Sequence, residues 1–195
     1  MSPRELFPTT VVGSMPRPQY IKELMEERVA GRIAYEDFQR VMDEVVPFII
    51  QLQEQAGVDI ISDGEWRRVS YSDIIADVCH GFRYVTKKVQ GEVQRVPVVV
   101  EEMRPFRPGR FAEEARFLKA HTRRQTKVAM PSPYLLGERL WDPELSAEAY
   151  PSRRDFTEAL VPILRQELLY LRDEGVDLAQ FDDTQFCCLV DPKIR

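Results

Sequence analysis

The strongest constraint on the fold of this chain is a pattern that occurs twice in its sequence. A long amphipathic helix ends at a glycine, Gly57 or Gly175, and the short apolar run behind it closes in acidic residues. Glycine is the usual left-handed end of a helix, and an apolar run of this length indicates a buried parallel strand. The acids are Asp63 and Glu65 after the first run and Asp182 and Asp183 after the second. Because α/β folds keep their chemistry at the C-terminal ends of parallel strands, the pattern predicts where the functional face lies.

The composition is that of a globular protein, with 195 residues of which 44% are hydrophobic, and predicts one large domain or part of one. The net charge of −5 is modest and the basic residues are spread out, so the electrostatic footprint of a nucleic-acid-binding protein is absent. No apolar run approaches the roughly 20 residues that span a bilayer, and the first residues lack the apolar segment of a signal peptide. Three cysteines, two of them adjacent, are typical of a reducing compartment. We therefore expect a cytoplasmic protein with no nucleic-acid or membrane partner.

Hydrophobic periodicity predicts four strands that alternate with helices. The predicted strands cover residues 9–12, 58–61, 127–130 and 176–181, and the helices cover 18–30, 35–55, 111–122 and 154–174. Pro47 in the second helix predicts a kink or a break. The predicted buried face of that helix consists of Phe38, Val41, Met42, Val45, Phe48, Ile49 and Leu52. Apolar runs on either side of Gln90-Gly91-Glu92 predict a β-hairpin inserted at about residues 79–100.

Four strand–helix units amount to half of a TIM-type (β/α)8 barrel, because a complete barrel needs around 250 residues. The predicted fold class is therefore α/β, the N-terminal half of such a barrel, in one partial barrel domain over residues 1–195. A half-barrel exposes two apolar strand edges, which natural proteins avoid. We expect further residues of the chain, a partner chain or a second copy to cover those edges.

Four segments of the chain carry a family resemblance, and they cover residues 7–18, 53–68, 127–133 and 175–183. The first contains Gly13-Ser14-Met15-Pro16-Arg17, and the second contains Asp63-Gly64-Glu65-Trp66. Together they resemble the C-terminal catalytic barrel of cobalamin-independent methionine synthase and its shorter archaeal-type and methionine-synthase-II-like relatives. The resemblance runs over the first half of that barrel.

The resemblance implies a zinc-dependent methyltransferase of methionine biosynthesis, which moves a methyl group from a folate-type or other donor to a thiol such as homocysteine. In the family, zinc holds the thiol as the nucleophilic thiolate. The implied substrate-binding residues are Val12, Gly13, Ser14, Glu65 and Asp182. Glu65 and Asp182 correspond to the acids that receive the substrate ammonium, and Trp141 to a stacking surface for the donor.

The chain departs from the family pattern at several chemically important positions. The family's Asp-Glu-Pro after the fourth strand is Asp182-Asp183-Thr184 here, and Cys188 stands where the family has a folate-contacting Glu. The family's zinc ligands, a His-x-Cys pair, a Glu and a distant Cys, belong to the second half of the barrel, and this chain has no His-x-Cys. Its soft-ligand pairs are Cys79-His80 and Cys187-Cys188. We therefore expect no metal site in this chain, zinc ligands outside it, and no catalysis by it alone.

Each of these residues also has a structural interpretation. Loop acids such as Glu65 and Asp182 also cap helices or pair with arginines such as Arg67 and Arg68, but two of them at equivalent positions, with the Gly13-Ser14 turn at a third, favour ligand binding. Arg17, Arg67 and Arg68 are candidates for a clamp on an anionic substrate tail or for solvated surface residues. Trp66 and Trp141 are more often packing residues than stacking platforms.

Three functions are compatible with the sequence. The first is the substrate-orienting half of a zinc methyltransferase, whose other half supplies the metal. The second is a non-catalytic half-barrel that assembles with a second copy or binds a small amine. The third is a metal-free barrel of the decarboxylase type, in which arginines and acids handle a carboxylated substrate.

Overall fold

A computed structural model describes residues 7–89, 92–106, 109–184 and 186–190 of the chain, so the predicted Gln90-Gly91 turn lies outside the described residues. The helices are α1 (Gln19–Val29), α2 (Tyr35–Gln55), α3 (Arg110–His121), α4 (Pro133–Leu140) and α5 (Arg153–Asp173). The strands are β1 (Ile60–Ile61), β2 (Cys79–Val89), β3 (Glu92–Pro105), β4 (Gln125–Pro131) and β5 (Leu178–Asp182). Two short 3-10 helices cover Asp73–Ile75 and Phe186–Val190.

One sheet has the strand order β1-β4-β5, and β1 runs parallel to β4 with Ile60 opposite Gln125. The predicted strand over residues 9–12 is wrong in extent, because in the described residues it is a single parallel bridge between Thr10 and Ile60. Its neighbour Thr9 donates its backbone N–H to the Asp59 carboxylate at 2.7 Å instead of to a strand. Gly13, at φ +76°, then turns the chain away. This arrangement leaves the loop from Gly13 onward beside the loop that follows β1.

The second sheet is the antiparallel hairpin β2–β3, whose strands are longer than the sequence predicted. Its register shifts between His80 and Phe82, at Gly81 with φ +105°. A Cβ atom at Gly81 would lie 2.8 Å from the Glu101 carbonyl oxygen. Glycine is therefore required at this bulge both by conformation and by space.

Helix α2 continues through Pro47, so the predicted break is wrong, and the alternative of a kink stays a prediction. The buried residues of α2 are Phe38, Met42, Val46, Ile49, Ile50 and Gln53. Phe48 and Leu52, which were predicted to be buried, are 60% and 41% exposed. Helix α4 was not among the predicted helices, and it begins where the Ser132 hydroxyl accepts the Leu135 N–H at 3.0 Å. A serine cap followed by proline at the first helical position is a favourable helix start.

The chain divides into two compact units, which we describe separately. The first unit consists of Met1–Val69, Ala112–Val128 and Arg172–Ala179, and the second of Ser70–Phe111, Ala129–Leu171 and Gln180–Arg195. A core in the first unit contains Ile21, Met25, Phe38, Met42, Val46, Ile49, Ile50, Ile61, Trp66 and Leu118. Buried apolar side chains of the second unit include Phe111, Leu135, Leu136, Phe156, Leu160 and Leu164. Within the described ranges, no helix has the length and apolar character to cross a membrane.

Candidate functional site

The candidate site lies in the first unit, at the turn that follows β1. Gly64 and Glu65 are both left-handed, with φ of +67° and +58°, and among the described residues Glu65 is the one non-glycine with positive φ. A left-handed non-glycine residue costs about 1–3 kcal/mol and persists where its surroundings hold it. At Gly64 a Cβ atom would lie 2.7 Å from the Ile49 side chain, so the turn is packed directly onto α2. The backbone strain falls on the acid that the sequence had singled out.

Four hydrogen bonds hold Glu65 in this conformation. Its backbone N–H donates to the Asp63 carboxylate at 2.9 Å, and its carbonyl oxygen accepts from Arg17 Nη2 at 2.6 Å and from the Arg68 backbone N–H at 3.2 Å. Its carboxylate accepts from the Ser14 hydroxyl at 3.0 Å. The structure thus brings together two of the predicted substrate-binding residues, Ser14 and Glu65, whose role in binding stays a prediction.

The loop that carries Ser14 is fastened to the turn by its backbone. The Met15 N–H donates to the Gly64 carbonyl oxygen at 3.0 Å, and the Trp66 indole N–H donates to the Met15 carbonyl oxygen at 3.2 Å. Trp66 is 1% exposed, so it packs in the core and is not a stacking platform. The predicted residues Val12 and Gly13 lie just before Ser14, and Val12 is 73% exposed.

Beneath the turn lies a group of three ionisable residues, Asp63, Arg68 and Glu114, which we call the buried charge cluster. Arg68 Nε and Nη2 donate to one Glu114 carboxylate oxygen at 3.0 and 2.7 Å. The side chains of Arg68 and Glu114 are 3% and 2% exposed. Burial lowers the pKa of Arg68, but the charges of Glu114 and Asp63 outweigh burial and leave that pKa raised. Arg68 therefore stays charged beside the carboxylates of Glu114 and Asp63.

The carboxylate of Asp63, in the buried charge cluster, has an oxygen without a hydrogen bond to any described residue. One of its oxygens accepts the Glu65 N–H, and the other, Oδ2, is buried with no hydrogen-bond partner in the described part of the chain. Burial, and then the charge of Glu114, raise the pKa of Asp63 above its ordinary value of 3.8, against the opposing effect of Arg68. Ionised Asp63 therefore costs the folded state free energy.

Asp63→Asn is expected to remove this cost while keeping an oxygen that accepts the Glu65 N–H. Because the folded-state pKa is raised, the wild-type protein loses stability as the pH rises from about 3.8 through the folded-state value. The stability of the variant relative to the wild type should therefore increase over that pH range and then level off. Urea denaturation at a series of pH values measures this difference. Asp173→Asn, at an exposed position, is the control, and an equal pH dependence in the two variants would contradict the prediction.

Arg67 and Arg68 were predicted to clamp a substrate or to be solvated, and the second interpretation is wrong because both residues are buried. Arg67 is buried, with Nη1 on the Gln39 side chain at 2.9 Å, Nη2 by the Asp43 carboxylate at 2.7 Å and its guanidinium 4.0 Å from the Phe117 ring centre. Arg68 is occupied by Glu114. The surrounding helices supply partners for both charges, so neither guanidinium faces a ligand.

The second unit contains the other predicted residues. Asp182 is the last residue of β5, and its carbonyl oxygen accepts the Ser132 N–H at 3.1 Å. The Ser132 hydroxyl donates to the Asp183 carboxylate at 2.6 Å. The Trp141 indole N–H donates to the Tyr150 carbonyl oxygen at 3.0 Å, and its ring is partly exposed. The binding roles of Asp182 and Trp141 stay predictions.

The described side chains do not fit a zinc ion. Within the described ranges no three His, Cys, Asp or Glu residues come together as a metal site. Cys79 is buried, and burial followed by the charge of Glu167 raises the pKa of its thiol to about 12, which disfavours the thiolate that zinc needs. Cys187 is exposed, and the side chain of Cys188 lies outside the described residues.

An open cleft of about 490 Å³ adjoins the site and is lined by Ser14, Met15, Pro16, Arg17, Lys22, Met25 and Glu26. Glu65 is not among its lining residues, so the cleft marks an approach to Ser14 rather than the full extent of a binding site.

Sequence reasoning missed Glu114, the partner of Arg68. It lies 46 residues from Arg68 along the chain, in a helix whose polar sequence gave no sign that one acid is buried. The Asp63-Gly64 dipeptide was a signal for a turn, but a left-handed glutamate after it was not foreseeable from residue type.

Comparison with known proteins gives consistent matches. The family described as "Cobalamin-independent synthase, Catalytic domain" matches residues 7–190. A methionine synthase of Sulfurisphaera tokodaii is 31% identical over 181 residues, which are 91% of this chain and 52% of that protein. A methionine synthase of Saccharolobus solfataricus is 31% identical over 186 residues, 94% of this chain and 54% of that protein. The chain therefore spans about half the length of the curated relatives it matches.

Two solved structures of methionine synthases, one of them putative, are similar to this chain. A B12-independent methionine synthase from Shewanella sp. W3-18-1, solved in complex with selenomethionine, superposes with a TM-score of 0.74 at 27% identity, over 92% of this chain and 52% of that one. A putative vitamin-B12-independent methionine synthase from Listeria monocytogenes gives a TM-score of 0.71 at 23% identity, over 95% and 54% of the two chains, and supports the fold. The predicted α/β class is confirmed, and the assignment to one half of a barrel stays a prediction.

Proposed function

Since the chain belongs to the family of cobalamin-independent synthase catalytic domains, as its motifs indicated, we propose that it supplies the substrate-orienting half of a methyltransferase site. In this proposal the residues around Ser14 and Glu65 bind the amino-acid part of a thiol substrate such as homocysteine. A second barrel half supplies the metal and activates the thiol.

The observation that carries the proposal is the contact between Ser14 and Glu65. The hydroxyl donates to the Glu65 carboxylate at 3.0 Å, and four hydrogen bonds, this one included, hold the glutamate in a strained left-handed conformation. A carboxylate held in this way can accept charge-assisted hydrogen bonds from an ammonium group. Glu65 is 6% exposed, so in this proposal the ammonium group enters past the Ser14 side of the turn.

The charges around the turn are balanced. The described side chains there include the carboxylates of Asp63, Glu65 and Glu114 and the guanidinium groups of Arg17, Arg67 and Arg68, and these charges act on one another. An ammonium ligand is therefore supported by the position of the Glu65 carboxylate and not by a net negative charge. The relative from Shewanella sp. W3-18-1 was solved with selenomethionine, an amino acid that carries such an ammonium.

In this proposal, a second barrel half carries out the methyl transfer itself. The described cysteines and acids of this chain do not form a zinc site, so the metal, which would hold the thiol as thiolate, needs ligands from elsewhere. β5 is the last strand in the order β1-β4-β5, so among the described residues one of its edges is unpaired and gives a place for more protein. A second copy of this chain at that edge would instead make a non-catalytic assembly, which is the alternative. The decarboxylase-type function loses its support, because Arg67 and Arg68 are occupied.

Methyl transfer to homocysteine should therefore be undetectable with this chain alone, with or without added zinc. It should appear when the C-terminal half of the Sulfurisphaera tokodaii relative is co-expressed with it, and should disappear again with Glu65→Gln. Product methionine is measured by mass spectrometry, and the paired halves are confirmed by size-exclusion chromatography. Turnover by this chain alone would contradict the proposal that catalysis needs a second half. Methyl transfer by the paired complex that is unaffected by Glu65→Gln would contradict the proposed role of Glu65.

A further inference from the structure

We infer that Arg17 is a positioning residue, which holds Glu65 in its left-handed conformation and keeps its carboxylate available to a ligand. The inference rests on the proposed function only in that Glu65 is taken to bind an amine. Its structural part, the control of the Glu65 backbone by Arg17, stands independently.

One nitrogen of Arg17 ties both ends of the turn to the Ser14 loop. Nη2 donates to the Glu65 carbonyl oxygen at 2.6 Å and to the Arg68 carbonyl oxygen at 3.2 Å, and it lies 3.5 Å from the Ser14 hydroxyl oxygen. The two carbonyl groups are three residues apart and point to the same donor. The Glu65 carbonyl oxygen also accepts the Arg68 backbone N–H at 3.2 Å, and a shift of Glu65 out of the left-handed region would turn that oxygen away from both donors.

The groups that accept hydrogen bonds from Arg17 determine whether the Glu65 carboxylate is left available to a ligand. The guanidinium lies close enough for the charges of Glu65 and Asp63 to act on it, yet its hydrogen bonds go to backbone oxygens and to Ser14. An arginine bonded to the Glu65 carboxylate itself would compete with an incoming ammonium. Arg17 instead offsets the repulsion among the acids while leaving the carboxylate to Ser14 and a ligand.

The geometry of Arg17 has a cost that indicates a specific role. Its Nε is buried and has no hydrogen-bond partner among the described residues. A buried donor without a partner is unfavourable, and it is tolerated here because Nη2 is held on the two carbonyl groups. A solvated surface arginine has no reason to adopt this arrangement.

Three variants of the 195-residue chain test the inference. Arg17→Met keeps the length of the side chain but removes every donor, and Arg17→Lys keeps a charge and one donor group. Arg40→Met is the matched control, because Arg40 is an exposed arginine paired with Asp37. One readout is the backbone conformation of Glu65, from its carbon chemical shifts and its amide–Hα coupling in NMR spectra. The other is the affinity for L-methionine, from calorimetric titration.

Arg17→Met should move the Glu65 signals away from left-handed values and weaken L-methionine binding at least about tenfold. Arg17→Lys should be intermediate in both readouts, and Arg40→Met should match the wild type. Wild-type Glu65 signals and affinity in Arg17→Met would overturn the inference, even if thermal stability fell. If Arg17→Met does not fold, Arg17→Lys decides by the same two readouts. If the wild type itself does not bind L-methionine, the amine site fails, and the Glu65 signals still decide the role of Arg17.

Discussion

Arg68→Met is expected to destabilise the folded chain by about 3–5 kcal/mol, because it leaves two buried carboxylates without their cation. Arg68 and Glu114 are 3% and 2% exposed, and Asp63 is buried beside them. Methionine replaces the volume of the arginine stem but none of its charge or its two hydrogen bonds to Glu114. A loss of this size is a large part of the 5–15 kcal/mol that typically stabilises a domain.

Urea denaturation of Arg68→Met and Arg40→Met makes the comparison direct, because both replace a paired arginine by methionine. The pair of Arg40 with Asp37 is 72% and 51% exposed, so its loss should cost at most about 1 kcal/mol. Arg68→Lys keeps the charge without the bidentate geometry and should fall between the two. Equal stabilities for Arg68→Met and Arg40→Met would show that the buried charge cluster does not hold the turn together.

Glu65→Gln is expected to weaken the binding of L-methionine by about 10- to 100-fold, because it removes the charge that faces the ammonium. Glutamine retains the size of the side chain and an oxygen for the Ser14 hydroxyl, so the turn should remain folded. The variant also removes the repulsion between Glu65 and the acids beneath it. We therefore expect weaker binding together with unchanged or slightly increased stability.

Calorimetric titration measures the affinity, and thermal denaturation of the same samples measures the stability. Glu44→Gln, at an exposed position of α2, is the matched control for the change of charge and should bind like the wild type. Ser14→Ala removes one neutral hydrogen bond to Glu65 and should weaken binding less than Glu65→Gln does. Wild-type affinity in Glu65→Gln would exclude this carboxylate as the amine receptor.

The helices were the most predictable part of the fold, and α2 shows why and where the limit lies. Its apolar residues recur every three or four positions, which gave its exact bounds, Tyr35–Gln55. The same pattern did not show which apolar residues lie at the edge of the buried face, so Phe48 and Leu52 were placed inside. Residue type alone also left open whether Pro47 would break α2 or only remove one of its hydrogen bonds, and the helix continues through it.

The candidate site was only partly predictable. The repeated helix–glycine–strand pattern led to Glu65, and the Gly13-Ser14 turn led to its hydrogen-bond partner. The charged residues around them could not be assigned from residue type, because Arg67 and Arg68 depend on partners in distant helices. Arg17 was recognised only as a cation, since its hydrogen bonds go to backbone oxygens, which the sequence does not distinguish.

The central claim is that this chain binds the free ammonium of an amino acid at Ser14 and Glu65. The most direct test is an NMR titration of the isotope-labelled chain with L-methionine and, separately, with N-acetyl-L-methionine, which has the same side chain and carboxylate but no ammonium. The account predicts that L-methionine shifts the backbone amide signals of Ser14 and Glu65 and that the acetylated compound leaves them unchanged. Equal shifts with both compounds, or none with L-methionine, would contradict it.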